Sequence, residues 1–263
     1  MKNKLKKKLR AFDILGNIAL VKFDRKTSIK EKKKFAGKIM KNNKSITTVL
    51  EKTHKFHGRL RKQQTKYITG KKTKEVLYKE NECVFRFNLD NVYFSSRLSN
   101  ERKEIASLIK KGNVLVMFAG VAPYSIVIAK NSKADKVFSN EINKEANKYA
   151  QLNIELNKVK NKVTLLNGDI KKIAKKLKEK FDYIVMPRPQ LKESFLKEAF
   201  MLGKRGTIIY YYDFCKDSET DLVINNIKYQ AKKYKKKIKI LKVKKAGEIA
   251  PYRFRIRVDF EVL

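Results

Sequence analysis

From Asn113 onward the chain alternates short apolar runs with amphipathic stretches, and this rhythm constrains the fold more than any other feature. Asn113–Phe118, Val137–Asn140, Val163–Leu166, Tyr183–Met186 and Gly206–Tyr212 each have the length and composition of a buried strand. Between and after them lie the apolar stretch Ser125–Ala129 and helix-like segments at Lys144–Leu156, Ile170–Lys180, Leu191–Leu202 and Asp221–Tyr234. Asn100–Lys110 reads as an amphipathic helix ahead of the series, and Lys237–Val243 and Arg253–Val262 as final strands. Strands and helices alternating at this spacing predict an α/β fold with a mostly parallel, doubly wound sheet.

The first ninety residues follow another pattern. Residues 11–23 read as two short strands around a Gly16-Asn17 turn. Ser28–Lys41 reads as a lysine-rich helix, Thr47–Leu50 as a strand, Lys52–Lys74 as basic strands and loops, and Cys83–Leu89 as an alternating strand. The expected organisation is a small basic α+β domain over residues 1–90 and a Rossmann-like domain over residues 91–263. Charge sharpens this division. The chain carries a formal net charge of +39, and residues 1–80 hold a net +20 of it at about twice the density of the rest. Hyperthermophilic proteins are rich in lysine, but with matching glutamate, and here acid does not match lysine. A polyanion is the natural partner, because each neutralised phosphate releases condensed counterions.

Other classes are set aside on simple grounds. No run of 18 apolar residues marks a membrane helix. The basic start, Met1–Arg10, lacks the apolar stretch and cleavage site of a signal peptide. Two distant cysteines, Cys83 and Cys215, fit reduced thiols in a cytoplasmic protein. His54 and His57 have no partners at metal-ligand spacing, so no metal is expected. Nothing sets the oligomeric state, and a monomer is the simplest expectation.

In a doubly wound sheet, ligands bind beyond the carboxyl ends of the strands. Candidate chemistry lies at four successive strand ends. Phe118-Ala119-Gly120-Val121 follows the first strand, where a glycine lets backbone approach a ligand. Glu141 follows the second, where an acid accepts from a ribose diol. Asp169 follows the third, where an acid accepts from an adenine amino group. Pro187-Arg188-Pro189 follows the fourth, where the reacting group would face the cofactor. Singly, each has a plainer explanation: turn chemistry for Gly120, a helix-start acid for Glu141, an N-cap for Asp169, a strand stop for Pro187. Together they favour a nucleoside-containing cofactor, without separating S-adenosylmethionine from a dinucleotide.

An ordered series of motifs runs along nearly the whole chain: Asp13-Ile14-Leu15-Gly16-Asn17-Ile18-Ala19, Gly58-Arg59-Leu60-Arg61, Glu80-Asn81, Tyr93–Leu98 with Glu101-Arg102, and Phe118–Val121. Glu141-Ile142-Asn143, the asparagine-rich helix Ala146–Asn157, Phe181–Pro189, Gly206–Tyr212 and Ala250-Pro251-Tyr252 continue it. This series resembles the archaeal and eukaryotic tRNA (guanine-37-N1)-methyltransferase family, with its wyosine-pathway relatives. The resemblance implies a class I methyltransferase fold, S-adenosylmethionine as cofactor, and methyl transfer to N1 of guanosine 37 in tRNA. It implies cofactor contacts at Phe118, Ala119, Gly120, Val121, Glu141, Asp169 and Pro189. It implies that Arg97 stabilises negative charge on guanine O6, with Pro187 beside the reacting base; the alternative for Arg97 is a phosphate clamp. The anticodon stem-loop would be gripped through phosphates by Arg59 and Arg61, with Arg97 and Arg188 as further RNA contacts. The target base must leave its stack to reach the strand ends.

This chain departs from the family pattern at several points. Val116 stands for the usual aspartate, Ala122 for a second loop glycine, and Ser96 for a proline. Pro187 stands for the asparagine that opens the fourth-strand motif. A pocket less defined by that amide suits a second substrate, C7 of the tricyclic wyosine intermediate imG-14, giving imG2. Because the Asp13 motif lies near Met1, the extra amino-terminal domain of many members is expected to be absent. Two competing expectations remain. One is a wyosine-pathway aminocarboxypropyl transferase using the same cofactor; the other is a non-catalytic basic RNA-binding protein. Cys215 reads as a packed thiol rather than a nucleophile. Tyr210, Tyr211 and Tyr212 read as buried strand residues, at least in alternation, rather than a base-stacking surface.

Overall fold

The computed structural model describes residues 12–53, 64–187 and 193–263. The chain divides into two compact units. The first runs up to Lys79 and takes in Val84–Tyr93; the second comprises Glu80–Cys83 and Phe94–Leu263.

In the first unit, β1 (Phe12–Leu15) and β2 (Ile18–Val21) pair antiparallel around Gly16-Asn17. Gly16 takes φ 54°, and a Cβ there would lie 1.8 Å from the Leu77 carbonyl oxygen, so only glycine fits. The Asn17 side chain bonds the same segment, accepting from Leu77 N–H at 2.7 Å and donating to Glu75 O at 3.2 Å. Helix α1 (Ile29–Asn42) opens with a Ser28–Glu31 capping box. It carries the chain over to β3 (Thr48–Lys52), which lies parallel to β2, and β4 (Thr65–Gly70) pairs antiparallel with β3. Ala36 and Ile39 of the helix pack on Ala19, Val21, Val49 and Ile68 of this four-stranded sheet. A separate two-stranded sheet joins β5 (Glu75–Glu80) to β6 (Cys83–Asn88). Strand β5 is absent from the sequence reading, since its period is weak: Leu77, one of its apolar residues, is exposed.

The second unit begins with a 3-10 turn at Ser96–Leu98 and helix α2 (Ser99–Leu108). Then follow β7 (Asn113–Val116), α3 (Pro123–Asn131), β8 (Lys136–Glu141), α4 (Lys144–Leu156), β9 (Val163–Asn167) and α5 (Ile170–Lys176). β10 (Phe181–Met186), α6 (Leu196–Leu202), β11 (Gly203–Lys216), α7 (Thr220–Lys233), β12 (Ile238–Ala250) and β13 (Arg253–Val262) complete it. Seven strands form one sheet in the order β12-β13-β11-β10-β7-β8-β9. β11, β10, β7, β8 and β9 are parallel, and β13 and β12 add antiparallel. This is the doubly wound arrangement expected from the sequence, with the strand order reversing between β7 and β10. That reversal opens the crevice where such sheets bind ligands.

The apolar core packs Leu115, Ile184, Met186, Ile209 and Phe260 of the sheet against Ala174 of α5, Leu196 and Phe200 of α6, and Ile227 of α7. Several boundaries differ from the sequence reading. α5 stops at Lys176 rather than Lys180. α6 starts at Leu196; the expected start at Leu191 lies outside the described residues, and Phe195 takes a left-handed φ of 55° that a helix interior does not allow. β11 begins three residues earlier and runs four further, and β12 extends to Ala250. In the β12 extension Lys244, Lys245 and Gly247 hide strand periodicity, and backbone pairing with β13 sustains it and the end of β11, while Gly203 at the start of β11 pairs with Phe181 of β10. Among the described residues, no helix is long and apolar enough to cross a membrane.

Candidate cofactor and substrate site

The chain leaves β7 through a tight turn. Met117 N–H still donates to Val185 O of β10 at 2.9 Å, and Ala119 N–H donates to Asn140 O of β8 at 2.8 Å. Between and after them, Phe118, Gly120 and Ala122 take φ of 58°, 60° and 65°. Three left-handed residues within five turn the backbone sharply at the sheet edge and deliver Pro123 as the first residue of α3.

Glu141, at the end of β8, holds this turn in place. Its Oε2 accepts from Gly120 N–H at 2.8 Å, and its Oε1 accepts from the Ile142 and Asn143 N–H groups at 2.8 Å each. Three of about four acceptor positions on the carboxylate are thus used, and one remains. Four buried asparagines support the same edge. Asn140 donates to Leu166 O at 2.8 Å and Gly168 O at 3.0 Å, which ties β8 to the end of β9. Asn147 donates to Glu141 O at 2.9 Å, Asn153 to Val121 O at 3.2 Å, and Asn157 to Asn153 O at 2.7 Å. These supporting amides were not singled out from the sequence. Their only signal there is the run of asparagines along α4, on a helix whose other buried residues are apolar.

Asp169 accepts from Lys171 N–H at 3.0 Å and caps α5, as its plainer explanation held. Beside it, a Cβ at Gly168 would meet nothing nearer than Ile173 Cδ1 at 3.8 Å, so the approach to this acid is open. The Phe118 ring meets Phe195 edge to face at 5.0 Å, and Pro187 follows β10 half-buried. The structure therefore brings Phe118–Val121, Glu141, Asp169 and Pro187 to one sheet edge, at the ends of four neighbouring strands about 4.8 Å apart. Val116 is fully buried and brings no polar group to that edge.

Arg97 lies exposed on the 3-10 turn before α2. The backbone on either side of it is well anchored. Arg102 is buried, donates from Nη2 to Glu80 Oε2 at 2.6 Å and to Ser95 O at 3.0 Å, and lies over the Phe94 and Tyr124 rings. Glu101 accepts from Arg257 at 2.6 Å and from the Tyr212 hydroxyl at 2.7 Å.

Tyr210, Tyr211 and Tyr212 are all buried, so none of them presents a ring to a base. Cys215 is buried and its thiol pKa is raised, first by burial, which removes the thiolate a nucleophile needs. Among the described residues, no group of three His, Cys, Asp or Glu side chains is placed to hold a metal. Arg59, Arg61, His54, His57, Arg188 and Pro189 lie outside the described residues.

A parallel sheet with this strand order, a tight turn after its first central strand and acids at the next two strand ends defines a Rossmann-like methyltransferase. Residues 76–241 match the TRM5/TYW2 methyltransferase domain and residues 1–73 match the TYW2 N-terminal domain. The chain belongs to the TRM5/TYW2 methyltransferase family, which depends on S-adenosylmethionine. The spare acceptor on Glu141 and the open approach at Gly168-Asp169 fit that nucleoside. The chain is 34% identical over 255 residues to the tRNA (guanine(37)-N(1))-methyltransferase Trm5b of Pyrococcus abyssi, covering 96% of this chain and 74% of that protein. It is 31% identical over 304 residues to Taw22 of Nanoarchaeum equitans, a tRNA (guanine(37)-N(1))/4-demethylwyosine(37)-methyltransferase, covering 96% of this chain and all of that protein. The crystal structure of Trm5b from Pyrococcus abyssi superposes with a TM-score of 0.84 at 32% identity, over 96% of this chain and 74% of that one.

Proposed function

We propose that this protein methylates N1 of guanosine 37 in tRNA and also C7 of the wyosine intermediate imG-14. The similarity to Trm5b and Taw22 across 96% of the chain carries this reading. The Taw22 match and the proline at position 187 support the second methylation.

When bound, S-adenosylmethionine would supply a methyl group on a sulfonium, whose carbon–sulfur bond breaks as the bond to guanine N1 forms, leaving the neutral thioether; the N1 proton passes to water, and negative charge builds on O6 as that proton leaves. The roles proposed for this chain's residues follow the family resemblance, supported for Phe118–Val121, Glu141, Asp169 and Pro187 by their positions at neighbouring strand ends. Phe118–Val121 and Glu141 hold the nucleoside, with Asp169 and Pro189 at its base. Pro187 borders the flipped target without the amide of an asparagine, which leaves room for a tricyclic ring. Arg97 donates to O6 and so acts only as charge develops, which raises turnover rather than ground-state binding. The basic first unit, with Arg59 and Arg61, grips the anticodon stem-loop through phosphates, and Arg188 adds an RNA contact near the target. A cytoplasmic monomer is the setting proposed for this tRNA-modifying role.

Methyl transfer to unmodified tRNA, to the same tRNA with G37 changed to A, and to tRNA carrying imG-14 tests the reading. Label is expected on the first and third only, and mass spectrometry should show a methyl rather than an aminocarboxypropyl group. Equal label on the G37A control would exclude the target, and an unlabelled tricyclic base would exclude the second activity. Arg97→Ala should lower kcat by about 10²–10³-fold, with S-adenosylmethionine affinity unchanged by calorimetry. A loss of cofactor affinity at unchanged turnover would contradict that role.

A further inference from the structure

We propose that the β12–β13 hairpin is an RNA-contacting arm, with the Tyr252 ring stacking on an unpaired nucleobase of the tRNA next to the target. This proposal rests on the tRNA-methylating reading above and adds a substrate contact to it.

Topology places the hairpin at the right edge. β13 runs antiparallel to β11, and Arg253 at the start of β13 lies opposite both Lys216 at the end of β11 and Ala250 at the end of β12. The turn Pro251-Tyr252 therefore projects at the carboxyl edge of the same sheet that carries Phe118–Val121, Glu141, Asp169 and Pro187. β12 also packs against the 3-10 turn that bears Arg97. Near the tip, β12 has register shifts between Lys245 and Glu248 and between Glu248 and Ala250. Bulges of this kind bend a strand and re-aim its end, and they are common beside functional sites.

Tyr252 is out of place as a structural residue. It is 82% exposed, more than any other large hydrophobic residue described, and so adds nothing to the core. It also takes φ 59°, a conformation that favours glycine. Neither cost is offset within the protein, and an aromatic face held out at a strand-end edge is what a base needs for stacking. The surrounding charge selects the partner. The segment Lys244–Arg255 holds four cations against Glu248 alone. Arg253, next to Tyr252, is exposed. The Arg255 guanidinium lies 5.2 Å from the Phe214 ring centroid, and its buried Nε has no hydrogen-bond partner. Lys245 lies over Phe254 at 4.3 Å and pairs with Asp217 at 2.5 Å, which leaves Arg253 as the cation at the tip that is best placed for a phosphate. An exposed aromatic beside an exposed arginine matches a single-stranded nucleic acid.

The test uses the full chain and measures anisotropy of a labelled anticodon stem-loop for wild type, Tyr252→Phe, Tyr252→Ala and Tyr252→Gly. Stacking makes Phe bind within about twofold of wild type and makes Ala and Gly bind about tenfold more weakly. Cofactor affinity should not change, and Tyr252→Gly should melt at or above the wild-type temperature, because glycine relieves the left-handed backbone. An abasic nucleotide beside position 37 should weaken wild type to the same degree and leave Tyr252→Ala indifferent. Unchanged RNA affinity in Ala and Gly would overturn the proposal alone. No stem-loop binding by wild type, together with no methyl transfer to tRNA, would overturn the functional reading as well.

Discussion

At the residue scale, Glu141 shows how one carboxylate serves two ends. It accepts from three backbone N–H groups, and through Gly120 it joins the start of α4 to the turn after β7. Glu141→Gln keeps the shape but turns one acceptor into a donor facing a backbone N–H. It should cost about 1–3 kcal/mol, the penalty for an unsatisfied buried donor, read from the denaturation midpoint at constant m. Cofactor affinity should fall with it, because that carboxylate holds the turn proposed to contact the nucleoside. Loss of affinity at unchanged stability would mean that Glu141 contacts the ribose alone. Ala122 adds a smaller effect. It is buried at φ 65°, so this chain keeps the left-handed turn without the glycine that would adopt it freely.

At the element scale, the placement of α2 matters most, since the Arg97 turn leads directly into it. One face of α2 is fastened by charge. Arg257 of β13 is fully buried and donates to Glu101 at 2.6 Å, to Glu104 at 3.0 Å, and to Asp259 at 2.8 and 3.0 Å. Lys244 of β12 also bonds Glu104 and lies 3.5 Å from Glu101. Burial raises the Asp259 carboxyl despite its Arg257 partner. For Glu104, burial acts in the same direction, but the Lys244 and Arg257 bonds together outweigh it and hold its pKa below the ordinary value. Arg257→Met would leave Glu101, Glu104 and Asp259 with only Lys242 and Lys244 beside them, both partly exposed, and removing one member of a buried ion pair costs about 3–5 kcal/mol. Urea unfolding should show that loss at pH 7. It should shrink as pH falls through the carboxylate range, because protonated acids no longer need the guanidinium. A loss independent of pH would point to packing rather than charge.

At the scale of the whole molecule, the +39 charge sets what the proposed RNA binding should show on titration with salt. A protein that neutralises several phosphates shows log affinity falling linearly with log salt, by about 0.7 per phosphate on single strands and 0.9 on duplex. Stem-loop binding should therefore weaken by at least about 10²-fold between 50 and 200 mM salt, while cofactor binding, which releases no counterions from RNA, stays nearly flat. A flat RNA profile would show that the excess lysine serves something other than phosphate contact.

The sequence alone determined the alternation of strands and helices in the second unit. Buried parallel strands need continuous apolar runs, and α4 and β13 were legible residue for residue. It also determined the candidate turn, the acids at successive strand ends and the sign of the partner's charge, because these follow local spacing and composition. Strand β5 was not legible, nor were the true start of α6 and the full lengths of β11 and β12. Partner strands or a left-handed residue set those boundaries rather than local periodicity. Only the tertiary structure showed that Glu141 bonds Gly120 and that Asn153 bonds Val121, since each pair is more than twenty residues apart. It alone set Arg257 against the α2 acids across more than 150 residues. It also brought Tyr252 to the strand-end edge that carries Gly120. Hydrogen bonds and ion pairs of that range leave no periodic trace in a single chain, and packing brings their partners together.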